Sequence, residues 1–159
     1  MSLPEFAAPL EERRFEDYVP GVAFECGPIA IGETEIVDFA ERFDPQDIHT
    51  DPEKAARGPF GGLIASGWHT ASLIMRVYTD NFLSPAAAMG RASVDALRWT
   101  KPVRPGDLLR MRVKVLEASP SASHGDAGTV RVSIEVVNQN RERVMTMEVR
   151  QIVRCRNAA

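Results

Sequence analysis

The stretch FGGLIASGWHTASLIMRVY, residues 60–78, decides the fold of this 159-residue chain. It opens with three glycines and a serine, and from residue 66 to residue 78 only Arg76 carries a formal charge. A helix that is apolar nearly all the way round is expected to be buried on most of its sides. The stretch therefore predicts a central helix that the other elements of the fold surround.

Alternating residues in the second half of the chain predict strands. Residues 109–115 are apolar at the odd positions and basic at the even ones, and residues 130–136 are apolar at the even positions. This period of two is the side-chain period of a β-strand. RASVDALRWTKPV, residues 91–103, and VMTMEVRQIVRC, residues 144–155, are further strand candidates, and NQNRER, residues 138–143, is typical of a hairpin connection. The second half thus predicts about four successive strands.

The first half combines one strand with short helices. VAFECGPIAIG, residues 22–32, is a strand candidate, and GETEIVDFAERF, residues 32–43, has apolar residues at helical spacing with acidic residues in its first turn. Asp51 precedes a proline, a helix-cap pattern that predicts one or two turns in residues 51–58. We therefore expect an α+β domain, residues 21–159, in which an antiparallel sheet of about five strands packs against the helix; residues 1–20 form an N-terminal arm.

Composition and charge narrow the possible partners. The net charge of −3 argues against non-specific attraction to nucleic acid or to an anionic membrane face. The longest uncharged stretch, residues 58–75, contains a proline and four glycines, so no membrane span is expected. The N-terminus does not have the pattern of a signal peptide, and Cys26 and Cys155 lack metal-type spacing. These features predict one cytoplasmic domain that binds neither nucleic acid nor membrane.

A carboxylate and an imidazole lie five positions apart in FDPQDIHTD, residues 43–51. Asp44 and His49 share one short, proline-containing loop, where together they can bind and polarise a water molecule. Gly67 stands where the predicted helix begins. The N–H at a helix start has no intrahelical partner and lies at the positive end of the helix dipole, and the missing side chain of glycine permits close approach. The three residues indicate water chemistry on a carbonyl substrate.

Structural roles also account for single members of this set. Asp44 precedes Pro45, a common turn pattern, and His49 alone is explained as an ordinary loop histidine. A metal site built from His49, Asp51 and His69 is possible in principle, but the three do not stand at a sensible ligand spacing, so no metal is expected. We expect His69 to be a hydrogen-bonded core residue of the central helix.

Three motifs together resemble those of the MaoC-like dehydratases, a family that includes the (R)-specific enoyl-CoA hydratases. They are the Asp-x4-His spacing in DPQDIHTD, the following FGGLIASGWHTASL, and the later LRWTKPVRPGD. The resemblance implies a hot-dog fold, in which a long helix lies in the curve of an antiparallel sheet and two subunits commonly pair their sheets edge to edge. It also implies reversible addition of water across the 2,3 double bond of an acyl-CoA thioester, without a metal or a redox cofactor.

The resemblance assigns roles to five residues. Asp44 and His49 look like the family's catalytic pair, and Gly67 looks like its donor to the thioester oxyanion. Ser66 replaces the usual histidine before the helix-start glycine, and Gln46 replaces an asparagine and can still donate a hydrogen bond as that asparagine would. Ser66 and Gln46 are therefore expected to bind substrate or support the oxyanion site.

Other departures from the family pattern concern positions nearby. Asp47 takes the place of a proline inside the Asp-x4-His loop and adds a charge. Met75 takes the place of a hydroxyl that supports the pair in some hydratases, and Trp68 is expected in the core or in a pocket wall. Arg98, Lys101 and Arg104 surround a strand end and are explained equally well by a solvated basic edge, so they stay outside the predicted site.

The sequence leaves three functions open. The first is hydration of a 2-enoyl-CoA to a 3-hydroxyacyl-CoA, with a place in fatty acid metabolism. The second is hydrolysis of an acyl-CoA, since hot-dog folds also support thioesterases. The third is a non-catalytic acyl-CoA-binding module, against which the intact Asp44 and His49 pair argues. A homodimer or a higher oligomer built from dimers is expected in each case, because the edges of the sheet need to be paired or protected.

Overall fold

Within residues 6–157, which the computed structural model describes, five strands form one antiparallel sheet. The first five residues of the predicted arm and the last two residues of the predicted domain lie outside this range. The strands are β1 (Ala23–Ala30), β2 (Ala88–Trp99), β3 (Leu108–Pro120), β4 (Ala127–Val137) and β5 (Arg143–Arg154). Their order across the sheet is β1-β3-β4-β5-β2, so β1 and β2 are the edges. The predicted α+β class with about five strands is confirmed.

Four α-helices lie between β1 and β2. They are α1 (Glu33–Phe43), α2 (Asp47–Thr50), α3 (Pro52–Ala56) and α4 (Gly67–Asn81). Asp51 caps α3 as predicted, since its carboxylate accepts the Lys54 N–H at 3.0 Å. The predicted loop of residues 43–51 contains one helical turn, α2, because the Gln46 carbonyl accepts the N–H groups of His49 and Thr50.

The alternating residues of β3 and β4 supply the sheet's side of the core. In residues 109–115 of β3 the apolar side chains are fully buried and the basic ones between them are exposed, and in residues 130–136 of β4 the apolar side chains are buried too. The predicted alternation is therefore confirmed. Each fully buried Val, Leu or Met stabilises the fold by about 1.5–3 kcal/mol relative to an exposed one. The buried apolar side chains of this alternation in β3 and β4 are Leu109, Met111, Val113, Val115, Val130, Val132, Ile134 and Val136.

The central helix α4 is buried on most of its sides, as its sequence predicts, and has one exposed stripe. Thr70, Ile74 and Tyr78, spaced four residues apart, form a buried stripe. The residues on either side of it are buried or half-buried, and within residues 66–78 only the opposite stripe is exposed. The exposed stripe consists of Trp68, Ser72 and Arg76. Like every other helix in residues 6–157, α4 is not long and apolar enough to cross a membrane.

The segment before β1 contributes a buried tyrosine to the core. Tyr18 is 1% exposed, and its ring packs edge-on against Phe6 and Phe82 with centroids 5.3 and 5.5 Å away. Its hydroxyl donates to the Phe82 carbonyl at 3.0 Å and accepts the Ser84 N–H at 3.0 Å. The end of α4 is thereby joined to the residues that precede the sheet.

We expect Tyr18→Phe to lower the free energy of unfolding by about 1–3 kcal/mol, because the buried Ser84 N–H loses its acceptor. Tyr78→Phe is the matched control, since the Tyr78 hydroxyl is buried without a hydrogen-bond partner among residues 6–157. Its removal breaks no hydrogen bond within that range, so Tyr78→Phe should not lower the free energy of unfolding. Equilibrium unfolding in urea measures both values, and equal losses at the two tyrosines would contradict the assignment.

Candidate active site

A cavity of about 370 Å³ lies where the start of α4 meets α2 and the end of β2. Four of the five residues predicted for the site line it, and Ser66, which is fully buried, lies behind them in contact with Asp44. The cavity wall consists of Asp44, Gln46, His49, Phe60, Ile64, Ala65, Gly67, Trp68, Thr70, Trp99, Thr100, Lys101, Pro102 and Val103. The fold therefore gathers residues from three segments of the sequence, 44–49, 60–70 and 99–103, into one pocket.

Asp44 is held as a carboxylate by two donors. It is the first residue after α1, and its backbone N–H closes that helix on the Ala40 carbonyl at 2.9 Å. The Gln46 amide donates to Oδ1 at 2.7 Å, and the Ser66 hydroxyl donates to Oδ2 at 2.7 Å. These hydrogen bonds, that from Gln46 foremost, hold the pKa of Asp44 below its ordinary value. Asp44 is therefore ionised at neutral pH.

His49 is oriented by a backbone carbonyl. The ring lies in α2 and is 5% exposed, and its Nδ1 is 2.8 Å from the Ile64 oxygen. A carbonyl only accepts, so Nδ1 carries a proton and donates it there. In the neutral imidazole, Nε2 is then the unprotonated nitrogen, and it faces Asp44 Oδ2 at 3.4 Å. The pair presents a carboxylate oxygen and a basic nitrogen side by side to the cavity.

Gly67 begins α4, and its N–H has no acceptor among the described residues. Ser66 occupies the N-cap position but makes no capping bond, because its hydroxyl is used by Asp44. The first N–H groups of a helix lack intrahelical partners and carry the positive end of the dipole. The start of α4 thus offers a free donor on the wall that also holds Asp44 and His49.

The space left by the missing side chain of Gly67 is filled by the protein itself. A Cβ at this position would lie 2.5 Å from Cε2 of Trp99. The Trp99 indole also donates through Nε1 to the Gly67 carbonyl at 2.8 Å. The indole ring of Trp99 occupies that side of the residue, and the close approach of a substrate oxygen to the Gly67 N–H stays a prediction.

Other sequence predictions are resolved by local contacts. Asp47 forms an exposed ion pair with Lys54, 3.5 Å apart, and does not line the cavity. Trp68 lines the cavity, as predicted for a pocket wall. In the described part of the chain, no group of three or more His, Cys, Asp and Glu side chains is placed to hold a metal ion.

The prediction that His69 is hydrogen-bonded is wrong. The ring is buried and stacks on Phe39, with centroids 4.8 Å apart and planes at 11°, and its Nδ1 has no partner in residues 6–157. Burial lowers the pKa of His69, so the ring is neutral and packs as an aromatic side chain.

Two contacts at the site are not apparent from the sequence. The Ile64 carbonyl that fixes the His49 ring is a backbone group, and every residue has one. Trp99 stands at the end of a predicted strand, where its large ring next to a polar turn is the only local signal. Which surface that ring covers depends on the three-dimensional path of β2.

We expect Gln46→Ala and Ser66→Ala each to raise the pKa of Asp44, Gln46→Ala by more, because each removes a hydrogen bond to the charged form. Carbon-13 NMR titration of the Asp44 carboxyl measures the shift. Ser72→Ala is the matched control, since the Ser72 hydroxyl bonds the Trp68 carbonyl on the exposed stripe of α4. An Asp44 pKa unchanged in both site variants would contradict the assignment.

The sign of the linked stability change follows from the lowered pKa. A carboxyl with a lower pKa in the folded chain stabilises the fold fully above its ordinary pKa. That contribution is lost as the pH falls through the lowered value. Wild-type protein should therefore lose stability on acidification through this window, and the Gln46 and Ser66 variants should lose less there.

Comparisons with known proteins show which proteins this chain is similar to. The model of the MaoC like domain matches residues 17–140. A 3-hydroxybutyryl-CoA dehydratase of Methylorubrum extorquens is 36% identical over 125 residues, which are 77% of this chain and 77% of the relative. The crystal structure of a MaoC-like dehydratase from Rhodospirillum rubrum has a TM-score of 0.80 and 36% identity, over 91% of this chain and 98% of that chain.

A hydratase of known structure is also similar. The unliganded R-hydratase PhaJ1 from Pseudomonas aeruginosa has a TM-score of 0.74 and 26% identity, over 89% of this chain and 85% of that chain. The family match covers more than half of the chain, and the fold that these neighbours share is the hot-dog fold. This chain belongs to the family of MaoC-like dehydratases.

Proposed function

We propose that this protein is a hydro-lyase that reversibly adds water to a 2-enoyl-CoA and forms the 3-hydroxyacyl-CoA. One observation carries the proposal: the Asp44 and His49 pair and the free Gly67 N–H line the same cavity. Family membership supports lyase chemistry on acyl thioesters at a coarser level. The identity and length of the acyl chain are not part of the proposal.

The pair activates water in this reaction. A water molecule donates one O–H to Asp44 Oδ2 and the other to His49 Nε2, which are 3.4 Å apart and both act as acceptors. His49 takes the proton from water, because its Nε2 is unprotonated in the tautomer that the Ile64 carbonyl selects. Asp44, whose pKa is lowered, stays charged and stabilises the imidazolium that forms.

The Gly67 amide acts on the other end of the conjugated system. As the water oxygen bonds to C3, the electron pair of the C2–C3 double bond moves toward the thioester carbonyl oxygen. A preorganised N–H aimed at that oxygen stabilises the charge as it develops. When the enolate collapses, C2 takes a proton from the imidazolium, and the net change is the addition of one water.

This route needs no metal and no redox cofactor, since the Asp44 and His49 pair moves the protons and the Gly67 amide stabilises the charge. CoA enters only as part of the substrate. The absence of a cofactor is part of the proposal, while the cytoplasmic location and the place in fatty acid metabolism stay predictions from the sequence.

We expect Asp44→Asn and His49→Gln to lower kcat for crotonyl-CoA hydration by about 10²- to 10⁴-fold, because each removes a group that transfers or stabilises the proton. Loss of the conjugated absorbance measures turnover. Asp47→Asn is the matched control, since this carboxylate lies in the same segment but is exposed and paired with Lys54. It should keep wild-type activity.

The alternatives give different results in the same assay. Release of free thiol from crotonyl-CoA or butyryl-CoA, without hydration, would indicate a thioesterase. Binding of acyl-CoA with no turnover of any enoyl-CoA would indicate a binding module. Either result overturns the hydro-lyase proposal.

We also propose a homodimer in which two copies pair their β2 edges. β2 is an edge strand of twelve residues that is exposed along nearly its whole length, and Val94 in its middle is 47% exposed. An exposed, long edge strand with apolar side chains is prone to pair with another strand. Pairing with a second β2 extends the sheet and covers these groups.

Sedimentation at micromolar concentration should give a mass of about 35 kDa, twice the 17.5 kDa of one chain. Val94→Lys should shift the protein toward monomer, because it places like charges at the paired edges. Val19→Lys, at an exposed apolar residue outside the strands, is the control and should leave the dimer intact. A wild-type monomer at this concentration rules out the proposed pairing.

A further inference from the structure

We propose that Trp99 is a positioning residue for catalysis: its indole fixes the Gly67 peptide so that the Gly67 N–H keeps its aim at the thioester oxygen. The inference rests on the proposed hydro-lyase function and adds a residue to it. Trp99 moves no proton in this role and acts through the glycine that it contacts.

The contact between Trp99 and Gly67 has two parts. The indole Nε1 donates to the Gly67 carbonyl at 2.8 Å, and the ring covers the position of the missing side chain so closely that a Cβ would lie 2.5–2.8 Å from three of its atoms. The hydrogen bond restrains the Gly67–Trp68 peptide, to which the carbonyl belongs, and the ring contact restrains the Gly67 Cα, to which the N–H nitrogen is bonded. Packing alone would leave the glycine free to rotate.

A glycine at this position needs such an anchor. Glycine populates more backbone conformations than any other residue, and the first turn of a helix has unpaired N–H groups that do not restrain it. An oxyanion donor works only if it is already in place when charge develops. On the preceding side, Ser66 is held by its bond to Asp44 and by its carbonyl, which accepts the Thr70 N–H at 3.1 Å. Trp99 supplies the restraint on the following side.

Trp99 is itself held in place on both sides. Its backbone pairs with Met145 of β5, which is fully buried, and the next residue donates its N–H to the Val144 carbonyl at 2.9 Å. Its ring meets the ring of Trp68 edge to face, with centroids 5.1 Å apart and planes at 76°. The Trp99 side chain therefore links the sheet to the start of α4.

The test compares Trp99→Phe and Trp99→Ala with wild type. Trp99→Phe keeps most of the ring contact and loses the N–H donor, while Trp99→Ala loses both. We expect kcat for crotonyl-CoA hydration to fall about 10- to 100-fold in Trp99→Ala and by less in Trp99→Phe, because a donor displaced by a fraction of an ångström loses much of its effect. KM should stay within about threefold of wild type, since the loss falls on the transition state.

A spectroscopic readout separates positioning from a loss of stability. The probe is butyryl-CoA labelled with carbon-13 at the carbonyl, which has no double bond to hydrate. Binding to wild type should lower its carbonyl stretching frequency through polarisation by the Gly67 N–H. The shift should shrink in the folded Trp99 variants. A purely structural role for Trp99 lowers the melting temperature and leaves the shift of the folded protein unchanged.

The outcomes are distinct. Leu108→Ala, which truncates an exposed apolar side chain at the start of β3, is the control and should match wild type in kcat and in frequency shift. Normal wild-type turnover with unchanged kcat and shift in Trp99→Phe and Trp99→Ala overturns the positioning role alone. No turnover of any enoyl-CoA by wild type overturns the proposed function and this inference with it. If Trp99→Ala does not fold, Trp99→Phe decides by the same two measurements.

Discussion

The hydrogen bond from the Ser66 hydroxyl to the Asp44 carboxylate, 2.7 Å long, is the contact on which the site depends. Asp44 ends α1 and Ser66 precedes α4, so one bond ties the end of the first helix to the start of the central one. Together with the Gln46 amide, whose effect is larger, this bond lowers the pKa of Asp44, and it withdraws the Ser66 hydroxyl from the usual capping position. The N–H of Gly67, the first residue of α4, has no acceptor within residues 6–157.

Asp44 and His49 differ in how the protein holds them, and the difference separates their roles. The carboxylate has two donors directed at it, which favour its charged form. The imidazole has one acceptor directed at it, which decides which ring nitrogen carries the proton. The surroundings of Asp44 thus keep it charged, and those of His49 leave Nε2 as the unprotonated nitrogen of the neutral ring.

Much of the fold can be predicted from the sequence, because period-two alternation in β3 and β4 and the uncharged stretch of α4 are local signals. The candidate residues could be named for a similar reason: Asp44, His49 and Gly67 stand in recognisable motifs. The elements that cover α4 could not be predicted, because the hydrophobicity of a sequence shows which side chains prefer burial but not which elements will cover them. Trp68 is apolar and 58% exposed for that reason. The Trp99 contact joins residues 32 positions apart, and only the path of β2 brings them together.

The position of Trp99 also bears on assembly. Trp99, which contacts the start of α4, is the last residue of the edge strand β2. This side chain therefore links the edge of the sheet to the residue that carries the free N–H. In the proposed reaction, a shift of that edge would change how the thioester carbonyl is polarised more than how tightly the substrate is held. A dimer paired through β2, as proposed, would then affect kcat more than KM.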